Sequence, residues 1–522
     1  MTDDVPAPDV HSGDVQSDDV HSGGVQSDDG STGSPRSHAL PNGLAVALVT
    51  VTSGSVLVLE ILAGRLLAPY VGVNLETYTA IIGTILAGIA IGAWAGGVAA
   101  DRYDPNRLIP LFLTFGGALA IASIPIVRFL GGDPGPDGDS RSSIILALWA
   151  FGPSAAVLSA VPPAVVKLQL RDLARTGAVV GRLSAWGTAG AIAGTFLAGY
   201  VLVAFAAVTT LIVAVGGLLA LTGVAMWLAN RLVDATLMLS ASGVALLGLA
   251  GVAVTDTPCD VQTAYYCLSI VDDPDDESGR ILVLDDLRHS YVDPDDPTRL
   301  EFWYTRRIAD AIDTQTAAPD IDVVAIGGGA LTLPRWLATT RPDTDQTVLE
   351  IDPELIDVVE DEFGLPPVEI VTGDGRQAIR RMADDSADVV VGDAFGSRSV
   401  PWHLTTEEFL ADVDRVLRDD GFYVVNVIDG GDQSFLRAEA ATLLTTFDRV
   451  AVIRSAGVVD GAIANSVILA GDASLDIDAW DEARRADGDD GELVDDLDAW
   501  IGDAMILTDD FAPVDQLIVG TG

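Results

Sequence analysis

The chain has 522 residues, room for two or three domains, and a hydrophobic fraction of 49% with a mean hydropathy of +0.37, high for a soluble protein. Its net charge is -47, from 76 acidic and 29 basic residues, which argues against a nucleic-acid partner because little would neutralise the phosphates. The two facts are reconciled by segregation: residues 44–254 are nearly all apolar, and the acids crowd the two ends.

Residues 1–41 are polar and repetitive, with VHSGDVQSDD followed directly by VHSGGVQSDD. No periodic apolar face is present to offset the entropy of ordering, so this stretch reads as a disordered acidic tail. His11, His21 and His38 read as solvated tail residues, and no metal site is expected. Aspartate is dense even in loops such as DDPDDESG, the pattern of acidic surfaces that stay hydrated in molar salt; the expected source is a salt-loving organism.

Residues 42–254 read as a membrane domain. Seven apolar spans, at 43–64, 78–100, 108–130, 143–166, 180–203, 206–229 and 232–254, are each of about the 20 residues that a bilayer requires. Gly88, Gly92 and Gly96, and Gly190 and Gly194, recur at the four-residue spacing that lets helices approach closely in lipid. Pro162-Pro163 are expected to break or kink the fourth span. Glu60 lies inside the first span, where an acid is expensive, and Arg65 is placed to pair with it or to reach the interface. Basic residues favour the amino-terminal side of the membrane, which by the positive-inside rule puts everything after Val254 outside.

Residues 255–315 read as a small β-rich subdomain, in which β-branched runs alternate with aspartate-rich turns and a helix follows over 300–312. Cys259 and Cys267 make neither a disulfide framework nor a zinc site; they read as two unpaired thiols, close enough to bridge in an oxidising compartment.

The organising stretch is 321–352, IDVVAIGGGALTLPRWLATTRPDTDQTVLEID. A short β-branched run leads to Gly327, Gly328 and Gly329, then a helix, then a second apolar run ending on Glu350. Glycines permit a sharp turn and close backbone approach, and an acid at the next strand's tip can accept both hydrogen bonds of a ribose diol. Thr332 stands where a dinucleotide fingerprint has its last glycine, so a nucleoside without phosphates, such as an S-adenosyl compound, is the better fit. Strands follow at 368–371, 387–391, 422–427, 449–454 and 466–470, with a helix at 409–417, which predicts a mostly parallel, doubly wound sheet. Gly327, Gly329, Glu350, Asp374, Gly375 and Asp393 all fall at strand ends, where such sheets bind ligands. Asp374 sits between glycines and suits the exocyclic amine of adenine. Asp393 ends an apolar strand and suits the orientation or deprotonation of an amine nucleophile. His403 reads as a structural loop residue.

In order along the chain, GRILVLDDLRHS (279–290), VVAIGGGALTLPR (323–335), VLEIDPELI (348–356), TGDGRQAI (372–379), VVVGDAF (389–395), HLTTEEF (403–409) and LTDDFAPVDQL (507–517) resemble the spermidine synthase (polyamine aminopropyltransferase) family. LEILAGRLLAPYVG and GIAIGAWAGGVAADR resemble the membrane part of fused, transporter-like homologues. The resemblance implies a Rossmann-like sheet of the class I S-adenosylmethionine-dependent transferase type over 316–522. It implies Gly327 and Gly329 shaping the nucleoside pocket, Glu350 on the ribose, Asp374 and Gly375 at the adenine, Asp393 as the catalytic acid, and Tyr265 and His289 on the substrate side. The cosubstrate would be decarboxylated S-adenosylmethionine, or S-adenosylmethionine itself, with no prosthetic group. The acceptor would be a small amine such as putrescine, and a homo-oligomer is left open. The sequence departs from the family's pattern at Ala330 and Gly396, where acids are usual, at Tyr266 and His289 in place of glutamines, and at Thr305-Arg306 in place of histidine-glutamate. The alternatives are a methyltransferase and a transporter or sensor with a ligand-binding nucleoside domain. An adenosyl cosubstrate places the globular half in the cytoplasm, against the basic-residue count.

Overall fold

The computed structural model describes residues 40–72, 75–131, 140–170, 175–230, 233–396, 399–472 and 475–519; the expected tail, but for Leu40 and Pro41, lies outside them. Seven helical spans are long and apolar enough to cross a membrane: Asn42–Val71, Leu75–Arg102, Pro105–Leu130, Ser143–Gln169, Thr176–Phe205, Val208–Ala229 and Ala235–Val254. The fourth is interrupted at Phe151 and Ala160, each just ahead of proline at the start of the next helical segment. Proline has no N–H to continue a helix but fits its first turn, so Pro162-Pro163 act as expected and Pro153 adds a second break.

The spaced glycines are contact points between backbones. A Cβ on Gly92 would lie 2.0 Å from the Ala156 carbonyl oxygen, and one on Gly190 would lie 2.2 Å from that of Thr50. At one end of the bundle Lys167 pairs with Asp101 at 2.5 Å and Gln169 bonds the Leu40 carbonyl at 2.8 Å. At the other end the helices are tied to the chain that follows them. Arg128 donates to the carbonyls of Val252 and Thr255, and the Val208 N–H donates to Gln262 Oε1 at 3.0 Å. Arg65 donates to the carbonyls of Thr263, at 2.9 Å, and Ala264. Of the two expectations for Arg65, a pair with Glu60 or a reach to the interface, the structure shows a tie from Arg65 to the next module, and among the described residues Glu60 Oε2 has no hydrogen-bond partner.

That module is an antiparallel sheet in the order β1 (Val261–Gln262), β2 (Cys267–Asp273), β3 (Asp276–Leu284), β4 (Leu287–Val292). Cys259 and Cys267 are joined in a disulfide, which corrects the reading of two free thiols; the β1–β2 turn brings their Cα atoms to 5.3 Å. The helix after it runs over Trp303–Gln315, three residues later than expected, because Phe302 is still extended.

The larger sheet contains β5 (Asp322–Ile326), β6 (Asp345–Glu350), β7 (Glu369–Thr372), β8 (Ala387–Gly392), β9 (Leu417–Asp429), β10 (Arg449–Arg454), β11 (Ala464–Gly471) and β12 (Glu492–Leu493), in the order β12-β10-β11-β9-β8-β5-β6-β7. β5 to β9 pair in parallel, while β11 and β12 run the opposite way and pair antiparallel with β9 and β10, so the sheet is mostly parallel, as expected, with an antiparallel edge. The link from β10 to β11 is too short for a crossover, which forces a reversal. Both faces are covered. Val390 packs with Phe409, Phe435 and Leu443, while Val389 and Val391 pack on the other side with Ile308, Ile312 and Leu337. Burial on both faces is why β8 reads as a continuous valine run.

Gly92→Val would force Leu75–Arg102 away from the fourth span. Overpacking of this kind costs about 1–3 kcal/mol, so the variant is expected to unfold at lower temperature in a detergent thermal-shift assay, with Gly97→Val, which meets open space apart from one distant contact, nearly unchanged.

Candidate functional site

The turn after β5 is set by backbone geometry. Gly327 has φ +97° and Gly329 has φ +49°, values that glycine adopts without strain. The Gly327 N–H bonds the Leu349 carbonyl, and the Asp393 N–H bonds the Ile326 carbonyl, so the ends of β5, β6 and β8 converge. A Cβ on Gly327 would lie 2.1 Å from the Asp393 carbonyl oxygen, and one on Gly329 would lie 2.4 Å from Ser290 Oγ. A Cβ on Gly375 would lie 2.7 Å from Ile326 Cγ2.

A cavity of about 1100 Å³ opens above these strand ends. Gly327, Gly329, Glu350, Asp374, Gly375, Asp393, Tyr265 and His289 all line it, so the structure brings every sequence-predicted site residue to one place. Glu350 is buried; Oε2 accepts from Gly328 N at 2.8 Å and Oε1 from Asp352 N at 3.0 Å. Burial raises its pKa and these two N–H groups oppose the rise. A carboxylate has about four acceptor sites, so it can still accept from a diol.

Asp393 is held more tightly. Asn426 Nδ2 donates to Oδ1 at 2.9 Å, and Asn465 donates in turn to Asn426 Oδ1 at 2.9 Å. The Tyr304 hydroxyl bonds the same carboxylate and lies 3.3 Å from the His289 carbonyl oxygen. Burial pushes Asp393 up to about 6, with the bonds from Asn426 and Tyr304 pulling the other way. A carboxyl in that range is suited to exchange a proton near neutral pH.

Asp374 caps the helix Gly375–Ile379 by accepting from Gln377 N at 2.9 Å, and its other oxygen lies 2.9 Å from His403 Nε2. His403 also lines the cavity, a position that its sequence context did not suggest. The LTDDFAPVDQL motif acts here at a distance. Asp509 binds Arg376 through both oxygens, at 2.6 and 2.8 Å, and Arg376 bonds the His403 carbonyl.

The departures from the family's pattern fall in different places. Ala330 is fully buried with Leu268, Leu282 and Val348 and is not part of the cavity wall. Gly396 does line the cavity, with no atom of the described residues within 4 Å of where a Cβ would be. Tyr266 bonds the Phe395 carbonyl at 3.3 Å, and its ring lies 6.4 Å from that of His289. Burial pushes His289 down to about 4, so its ring is neutral, and Nε2 has no hydrogen-bond partner. Arg306 turns away, toward the carbonyls of Leu300 and Glu301.

Sequence reasoning missed Asn426, although an amide inside the apolar strand FYVVNVID is a signal. It gave Tyr304 no role. It missed Arg65 and Tyr78, which reach the cavity from the membrane helices, because only tertiary packing brings them there.

No family model matches the chain. The sequence is 31% identical over 158 residues to the polyamine aminopropyltransferase of Neisseria meningitidis serogroup A, covering 29% of this chain and 59% of that protein. It is 29% identical over 202 residues to the polyamine aminopropyltransferase of Chromobacterium violaceum, covering 38% of this chain and 73% of that protein. A crystal structure of a probable spermidine synthase from Corynebacterium glutamicum superposes with a TM-score of 0.45 at 26% identity, over 49% of this chain and 97% of that one. The chain thus spans about three fifths of the length of the meningococcal relative. Over 158 to 202 residues, then, the carboxyl-terminal half of the chain is similar in sequence to polyamine aminopropyltransferases.

Proposed function

We propose that the protein is a membrane-bound aminopropyltransferase, moving an aminopropyl group from decarboxylated S-adenosylmethionine to an amine. The observation that carries this reading is the placement of Asp393 across the glycine turn from Glu350, held by Tyr304 and Asn426 in one cavity. Glu350 would take the ribose hydroxyls. Gly327 and Gly329 would admit the nucleoside against the backbone, and Asp374 with Gly375 would face the adenine. Asp393 would take a proton from the attacking amine. The nitrogen lone pair then forms a bond to the carbon next to the sulfonium, the carbon–sulfur bond breaks, and its electron pair leaves on the sulfur of methylthioadenosine. Alignment of nitrogen, carbon and sulfur is the larger part of the task, and the fixed strand ends supply it. Tyr265 and His289 would border the acceptor.

The same proposal divides the chain into a membrane part over 42–254, a β-rich subdomain over 255–315 and a Rossmann-like part over 316–522. It keeps a salt-rich habitat as the meaning of the acidic composition. A cytoplasmic face for the globular half follows from the adenosyl donor. A second reading, the outer face, is favoured by the Cys259–Cys267 bridge and by Arg102, Arg107, Lys167 and Arg175 on the opposite side of the bundle.

Calorimetry of the full-length protein in detergent tests the donor: decarboxylated S-adenosylmethionine is expected to bind more tightly than S-adenosylmethionine, and the reverse order with methyl transfer would replace this reading by a methyltransferase. Asp393→Asn is expected to lower kcat by about 10²- to 10⁴-fold with donor binding retained. If Asp393→Asn is harmless while Glu60→Gln abolishes function, a transporter or sensor is the better reading. Because Asp393 acts as the ionised base and burial raises its pKa to about 6, kcat/KM is expected to rise as pH passes upward through that value and to level off above it. For the membrane face, the exposed Asp503→Cys is expected to react with an impermeant maleimide only after lysis; labelling on intact cells would assign the outer face.

A further inference from the structure

The cavity does not end at the globular half. Arg65 and Tyr78, from the first two membrane helices, form part of its wall, and a smaller cavity of about 60 Å³ shares Arg65, Tyr78, Tyr265, Tyr266 and Asp285 with it. The smaller cavity is otherwise walled chiefly by small and apolar residues of the membrane helices: Gly64, Ala68, Val203, Ala206, Ala207 and Val208. It lies where the fifth span stops being a regular helix. A π-helical turn occupies Ala198–Leu202, and Ala206 is extended at φ -157° and ψ 146°, in the short link to the span that begins at Val208. π-Helical turns inside α-helices are frequent at functional sites. On the same stretch Tyr200 and Phe205 are 78% and 83% exposed, the kind of aromatic side chain that sits at a membrane–water interface.

The lining between this opening and Asp393 suits an apolar guest. Where the family's pattern has glutamines, Tyr266 and His289 face each other, and Tyr265 continues the row with its ring 6.3 Å from that of Tyr266. The neutral ring of His289 offers a polycation no counter-charge. Asp273, Asp275 and Glu301 also line the main cavity. Asp273 is six residues along β2 from Cys267, roughly 20 Å at the rise of a strand, so these acids mark the end away from the membrane. Arg65 has both terminal nitrogens committed to the carbonyls of Thr263 and Ala264. These two bonds hold its guanidinium in the wall of the opening. Asp285 is the acid at the junction of the two cavities, its carboxylate accepting from Cys267 N at 3.0 Å.

We propose that the acceptor is an amine on an apolar tail, entering sideways from the bilayer between Ala68 and Ala207 while its nitrogen reaches Asp393. This inference rests on the aminopropyl-transfer reading. It names the acceptor class as a long-chain alkylamine, drawn in past Asp285. The transfer balances as above, one amine proton going to Asp393 and the carbon–sulfur electron pair to methylthioadenosine.

The test uses the full-length protein in lipid nanodiscs with decarboxylated S-adenosylmethionine, reading methylthioadenosine release with dodecylamine or putrescine as acceptor. The expected preference for dodecylamine in kcat/KM is about tenfold or more, of the order that a few buried methylenes confer. Ala207→Trp, at an exposed position that tolerates a larger side chain, is expected to reduce that preference about tenfold, and Val203→Phe to act in the same direction. Faster release with putrescine than with dodecylamine, or a preference unchanged in both variants, overturns the sideways opening and leaves aminopropyl transfer standing. No release with either amine overturns both readings.

Discussion

The constraint on which the rest depends is the contact between the backbone of the glycine turn and the end of β8. There is no room for a side chain at Gly327, because its Cβ would occupy the space of the Asp393 carbonyl. That closeness fixes the distance between the tip of β6, which carries Glu350, and the tip of β8, which carries Asp393. Parallel pairing of β5 with both neighbours sets the direction of all three strands, so the two carboxylates emerge on one rim. The buried valines of β8 and the helices on either side hold this rim rigid. A site whose work is alignment gains most from such a frame.

Around that frame the polar partners are arranged in layers. Asn465 holds Asn426, Asn426 holds Asp393, and Tyr304 closes the carboxylate from another element. Asp509 performs the same service for the far side, through Arg376 to the loop of His403. Residues distant in sequence thus decide where the cavity's acids point. The four-stranded module adds Tyr265, Tyr266 and His289 as a separate wall, tied by Arg65 to the first membrane helix. The apolar helices and the cavity that holds Asp393 meet at that wall, which gives the joining of the two halves a structural content.

The strand–turn–helix–strand unit at 321–352 was legible because its signals are local. A β-branched run, three glycines and a terminal acid each act within a few residues, and all of them sit in the structure where the pattern put them. The seven membrane spans were legible for a similar reason, since bilayer thickness imposes length and apolarity on each span separately. Less local features escaped. The reversal of β11 and β12 depends on link lengths and on which edge is open, and the pairing of Cys259 with Cys267 depends on the β1–β2 turn. Ala330 looked like a missing acid at the site, but packing put its side chain into the core.

By itself the sequence determined the seven apolar spans, the likeness of the carboxyl-terminal half to polyamine aminopropyltransferases, and the carboxylates Glu350, Asp374 and Asp393 at strand ends, because periodicity and turn chemistry are written residue by residue. Tertiary structure alone decided what surrounds those carboxylates. Asn426, Tyr304, His403, Arg65 and Tyr78 come from five different places in the chain, and no local pattern records that they converge. The reason is physical: burial, rather than residue type, raises Asp393 to about 6 against the pull of Asn426 and Tyr304 and leaves His289 neutral, and burial exists only once the chain has folded.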